Sequence, residues 1–166
     1  MPCGTGRFWA LLAESPDREI HVCDNSQDML DTGLKFQPKE VVARITSSFQ
    51  GSAFDLPVND NFAENIFCIR LIHHIGEAND RLKLLSELHR ATSSTVIISL
   101  WLDGNYKARR RKKLEATRET GYYQNRFVIP TTTIEDEFKQ SGFHIEERLD
   151  FIPLFSMWRT YVLKKI

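Results

Sequence analysis

An α/β fold on a doubly wound, mostly parallel sheet is predicted by two features of the sequence. Short apolar runs rich in Val, Ile and Phe alternate with amphipathic stretches, as successive βαβ units do. The last two runs, 143–150 and 157–164, follow one another across Pro153 with no helix between them. They are expected to form a hairpin, which turns the last strand antiparallel. The 166 residues are expected to form a single domain, 1–166.

The elements follow in order. A loop at 2–6 runs into a helix at about 7–13. Residues 19–23 (EIHVC) form a strand, with Asp24 just past its end. Ser26 caps a helix carrying Met29 and Leu30 that ends near Phe36, and Pro38 breaks the pattern. A strand at 45–50 precedes the loop GSAFDLP. The run at 64–71 (ENIFCIRL) is nearly continuous in apolar residues, as in a strand buried on both faces. Leu82, Leu85 and Leu88 recur at helical spacing within 80–90. A second buried strand is expected at 95–102 and a basic helix at 106–118. Thr132 or Thr133 caps a short helix ending at Gly142, with Glu135 or Asp136 placed for a capping box.

Composition narrows the function classes. Lys plus Arg and Asp plus Glu both number 22, so net charge points neither to a nucleic-acid binder nor to an acidic tail. Cys3, Cys23 and Cys68 have no metal spacing, and an odd count argues against a closed disulfide set. Buried thiols are the expected reading. No run approaches the roughly 20 apolar residues that cross a bilayer. The N-terminus lacks a signal-peptide pattern, and the expected location is cytoplasmic.

The densest signal is Cys3-Gly4-Thr5-Gly6 at the opening of a helix. Two glycines let backbone approach a ligand closely, and a helix start favours an anion. Asp24 follows the next strand about 20 residues later, where an acid can accept hydrogen bonds from both ribose hydroxyls. Glycine turn, helix, strand and acid in this order point to a nucleoside-type ligand. A glycine turn that only packs its helix remains the alternative.

PCGTGRF followed by HVCDNSQDML resembles the glycine motif and acid of class I S-adenosylmethionine-dependent methyltransferases, above all the group with PCGTG and D-x-S-x-x-ML. GSAFDLPVNDNFAENIFCIRLIHHI is similar to that family's next two blocks, and SMWRTYVLKK to its reversed final strand. The resemblance implies a Rossmann-like fold, S-adenosylmethionine as cofactor, and methyl transfer to an unidentified small-molecule or anionic acceptor. It implies that Cys3, Gly4, Thr5 and Gly6 face the methionine part, with Asp24 on the ribose beside Asn25 and Ser26. Ser52, Ala53 and Phe54 would border the adenine, and Arg70 and Leu71 would lie near the sulfonium. Ser52 stands where relatives carry an acid. The family also has a strand before the glycines, for which Met1 and Pro2 leave no room. A chain beginning at Met1 is therefore expected to be poorly stable as a monomer, or to take that strand from elsewhere. A protein of this fold that binds without turnover is the second expectation.

Two further groups carry chemistry. His73 and His74 are candidates for a base, since imidazole titrates near neutrality, although a structural role is expected for at least one. Six of the seven residues from Lys107 to Lys113 are basic, with Tyr106, Tyr122, Tyr123, Arg126 and Phe127 around them. Tyr106, Lys107, Arg109, Arg110 and Arg111 are candidate substrate contacts for an anion; nucleic acid and a solvated helix face are the alternatives. Trp9, Trp101 and Trp158 are expected in packing roles.

Overall fold

The computed structural model describes residues 1–117 and 125–166. Arg118, Tyr122 and Tyr123 of the basic and aromatic stretch lie outside the described residues. The chain divides into two compact units, Met1–Pro57 and Val58–Ile166.

The first unit holds α1 (Trp9–Ala13), β1 (Ile20–Asp24), α2 (Gln27–Phe36), α3 (Lys39–Val42) and β2 (Ile45–Gln50). β1 and β2 pair in parallel, so α2 and α3 form the crossover between them. Trp9, Ile20, Val22, Leu30 and Val41 are buried together, with Cys3, Leu12, Ala13 and Ile45 against them. Ser26 caps α2 as expected, its hydroxyl accepting from the Met29 N–H at 3.4 Å. Helix α1 starts two residues later than the sequence suggests and spans only 5 residues, with no side-chain cap at Phe8. The turn from Gly4 to Phe8 takes up the difference. β1 reaches one residue further than expected, so Asp24 is its last residue.

The second unit holds β3 (Ala63–Ile69), α4 (Ala78–Ala91), β4 (Thr92–Trp101), α5 (Tyr106–Ala116), α6 (Thr131–Gln140), β5 (Phe143–Asp150) and β6 (Trp158–Lys165). Its sheet runs in the order β3-β4-β6-β5. β3 is parallel to β4, and β6 is antiparallel to both β4 and β5, so β6 alone runs in reverse. α4 packs on β4 and on α6, and α6 packs on β5.

Three sequence expectations fail here for identifiable reasons. β3 is not buried on both faces: Ile66 and Cys68 are buried, while Glu64 and Asn65 are exposed. It is an edge strand of its sheet, which leaves one side unpaired. The buried stripe of α4 is Arg81, Leu84, Leu85, Leu88 and Ala91, and Leu82 is only half-buried. The sequence holds Leu at both 82 and 84, so spacing alone does not select the stripe. Helix α6 has neither a threonine cap nor a capping box; Pro130 precedes it. Asp103 does the capping from a distance, its Oδ1 accepting from the Thr131 N–H and the Thr131 hydroxyl, both at 3.0 Å.

One buried ion pair crosses this unit. Arg81 on α4 donates from Nε and a terminal nitrogen to the two Glu137 oxygens on α6, at 2.8 and 2.6 Å. The second terminal nitrogen donates to the Gly76 carbonyl at 2.6 Å. The side chains are only 6% and 5% exposed, so desolvation is offset only while both partners are present. Glu137→Leu is expected to cost about 3–5 kcal/mol in chemical denaturation, because it strands a buried guanidinium. Adding Arg81→Met should recover part of that loss.

Candidate functional site

In the first unit, three segments meet at Asp24. The residue is buried, 7% exposed. Its Oδ2 accepts from the Gly4 N–H at 2.8 Å and its Oδ1 from the Ser26 N–H at 3.0 Å. Its carbonyl accepts from the Gly51 N–H at 3.0 Å, which ties in the turn that follows β2. Each carboxylate oxygen keeps a further lone pair for an incoming hydroxyl. The glycine turn and the acid of the sequence pattern are thus brought into direct contact, 20 residues apart in the chain.

The two glycines are needed for different reasons. Gly4 has φ +53, and a Cβ built there would meet nothing within 4 Å, so its outer side is open space. Gly6 has φ +87, and a Cβ there would lie 2.6 Å from the Trp9 ring. Gly4 leaves its outer side open, whereas Gly6 packs against the core. Gly6→Ala should lower unfolding stability by at least about 1–2 kcal/mol, from left-handed backbone before any overlap is counted; a thermal melt of the full chain reads it. Because α1 is so short, anion attraction at this turn comes from its amides rather than from a helix dipole.

The neighbouring candidates are largely committed to the protein. Thr5 is exposed, and its carbonyl accepts from the Gln37 side chain at 2.7 Å. The Asn25 carbonyl accepts from Gln50 at 2.9 Å. The Ser52 hydroxyl accepts from the Phe54 N–H at 3.2 Å within a turn where Ser52 and Asp55 bridge. Ser52 therefore keeps its O–H as donor and one lone pair. Ala53 and Phe54 are half-buried in this turn. Burial, and then the Asp24 charge, push the Cys3 thiol up to about 11. Burial first of all pushes Cys23 and Cys68 to about 11 as well. All three stay protonated near neutrality, which suits packing rather than nucleophilic work. No group of His, Cys, Asp or Glu among the described residues could hold a metal ion.

In the second unit, chemistry gathers at the C-terminal ends of β3 and β4. Arg70 follows β3 with φ +65, a left-handed conformation that is uncommon for such a side chain. The buried Ser99 of β4 fixes it, its hydroxyl accepting from the Arg70 N–H at 3.0 Å. Leu71 then opens a single turn of 3₁₀ helix, Ile72–His74. His74 is exposed and bonds the adjoining loop, its Nδ1 2.6 Å from the Asn125 carbonyl. His73 is 2% exposed, stacked on Trp101 at 4.9 Å and edge-on to Trp158 at 5.0 Å. Its buried Nδ1 has no hydrogen-bond partner.

The basic helix α5 does not act as one surface. The Arg111 guanidinium lies 4.8 Å from the Trp101 ring centre, while Tyr106 stacks on Phe155 at 5.5 Å and Lys107 lies 5.1 Å over that same ring. Arg109 and Arg110 are exposed. Two further guanidiniums join the tryptophans: Arg70 lies 5.5 Å from Trp158 and Arg126 lies 5.7 Å from Trp101. The sequence shows Arg126 only as a flank of the basic run. It offers no signal for Ser99 as the support of Arg70.

A family model described as a methyltransferase domain matches residues 1–99. The chain belongs to the methyltransferase domain family. No curated protein matches the sequence. Among solved structures, the domain is similar to magnesium protoporphyrin IX methyltransferase from Synechocystis PCC 6803 with bound SAH, at 16% identity and TM-score 0.79, over 99% of this chain and 72% of that one. It is similar to an S-adenosylmethionine-dependent methyltransferase from Clostridium acetobutylicum ATCC 824, at 16% identity and TM-score 0.74, over 99% and 81%. It is also similar to the cyclase SpnF, at 10% identity and TM-score 0.75, over 98% and 72%. These likenesses show the fold: Rossmann-like α/β, with a mixed sheet and an antiparallel last strand. Among the described residues, no helix is long and apolar enough to cross a membrane.

Within the methyltransferase domain, His73 is held uncharged near neutrality. Burial above all, then His74, Arg126, Arg70 and Arg111, lower its pKa from 6.5 to about 3. Between those two values the unfolded chain binds more proton than the folded one. The stability this provides is complete above about pH 6.5 and is lost as pH falls towards 3, at no more than about 1.4 kcal/mol per pH unit. Denaturation midpoints should fall on acidification, and His73→Phe should flatten that fall.

Proposed function

We propose that this methyltransferase domain binds S-adenosylmethionine and transfers its methyl group to a nucleophile on a separate acceptor. The observation that carries the reading is the Asp24 junction, where the acid touches the Gly4 and Ser26 amides at 2.8 and 3.0 Å and keeps lone pairs for a ribose. The open side of Gly4 admits the methionine part, and Ser52, Ala53 and Phe54 border the adenine. These groups suit the cofactor chemically: backbone amides, a carboxylate for two hydroxyls and a small-residue turn.

When bound, the cofactor supplies an electrophilic methyl on a sulfonium. An acceptor lone pair forms the new bond to that carbon as the sulfur–carbon bond breaks, with the electron pair staying on sulfur. The protein's part is to position and to exclude water, since in-line transfer to a good nucleophile needs chiefly alignment. His73, buried between the indoles with its pKa lowered to about 3, is a poor base, and its part is structural. Arg70 has the same sign of charge as a sulfonium, so its guanidinium suits an anionic group rather than the cofactor.

Calorimetric titration of the full chain with S-adenosylmethionine and S-adenosylhomocysteine tests this. Both should bind, and Asp24→Asn should weaken each by roughly 10–100-fold, since an amide nitrogen would oppose one of the two backbone N–H groups. A second reading, a non-catalytic protein of this fold that acts as a partner subunit or is a degenerate paralogue, is favoured by Ser52 in place of an acid. It would be supported by failure of both cofactors to bind.

A further inference from the structure

We propose that Arg70, Arg111 and Arg126, gathered around Trp101 and Trp158, bind an oxyanion, a carboxylate or a phosphate. This inference does not rest on the methyl-transfer reading.

The platform is a built arrangement. The two indole rings meet edge to face at 5.6 Å, and His73 fits against both. Three guanidiniums lie over these rings at 4.8, 5.5 and 5.7 Å. Arg111 already donates to the Arg126 carbonyl at 3.3 Å and pairs with Glu115, so Arg70 offers its N–H edge to a planar or tetrahedral oxyanion, a geometry that a lysine cannot match.

Charge accumulates here. Glu115 pairs with Arg111 at 2.7 Å, one turn along α5. Arg70 forms no ion pair among the described residues, and its guanidinium lies over the Trp158 ring. The buried His73 ring stays neutral, chiefly through burial and then through His74 and the same three arginines. Two buried nitrogens, His73 Nδ1 and Trp101 Nε1, also lack partners, although buried polar groups are normally satisfied. The left-handed backbone at Arg70, held by Ser99, fits a functional constraint better than a packing need.

The test uses the full chain with saturating S-adenosylhomocysteine, following tryptophan fluorescence. The probes are benzoate, phenyl phosphate and neutral benzamide. Benzoate or phenyl phosphate should bind at least about ten-fold more tightly than benzamide, and salt should weaken that binding. Whichever of the two binds more tightly identifies carboxylate or phosphate. Arg70→Gln should weaken the anion by about ten-fold or more, Arg70→Lys by less, and Lys139→Gln on α6 not at all. Arg126→Gln provides a second variant if Arg70→Gln fails to fold. Equal affinity for benzamide and benzoate, or unaltered binding in both glutamine variants, would overturn the inference. If S-adenosylhomocysteine binds and no probe does, this inference alone falls. If the anions bind and S-adenosylhomocysteine does not, the methyl-transfer reading falls and the anion site stands.

Discussion

One carboxylate organises the first unit. Asp24 ends β1, and its two oxygens and its carbonyl hold amides from three separate places: the glycine turn, the start of α2 and the turn after β2. Turns of this kind carry backbone donors that would otherwise need water. Gathering them on one acid fixes their spacing before any ligand arrives, so less ordering remains to be done on binding. The close approach of these three segments is in this sense a by-product of satisfying loop amides.

Much of this was legible in the sequence. The order of apolar runs gave the strands to within three residues, and the glycine turn and acid that the pattern paired lie in contact. What escaped was non-local. Asp103 caps α6 from 28 positions away, which no window around Thr131 reveals. The edge position of β3 depends on which strands pair, not on its own composition. α4 chose Leu84 over Leu82 because the buried stripe also includes a charged residue, Arg81, whose partner lies on another helix. The short α1 shows the limit of motif reasoning: glycine turns announce a close approach of backbone, but not the length of the helix that follows.

The basic run teaches a related lesson. Read as a string, 107–113 is one positive block. Folded, it disperses: some side chains face water, Lys107 lies over Phe155, and Arg111 alone reaches the indoles. Arg70 and Arg126, which come from other parts of the chain, join it there. Charge density in three dimensions was assembled from residues that sequence density does not connect. The neutrality of His73 follows from burial first, then from His74 and the assembled arginines, and of these only His74 is visible in the local sequence.

The Arg81–Glu137 pair has an evolutionary corollary. Each member is tolerable only in the other's company, so a lineage that loses one passes through a state near the edge of foldability, given net stabilities of about 5–15 kcal/mol. Related chains should therefore hold both or exchange both, and the two columns should covary although 56 positions separate them. Such linked drift would mark the junction of α4 and α6 as an inherited unit, one that changes in paired steps or not at all.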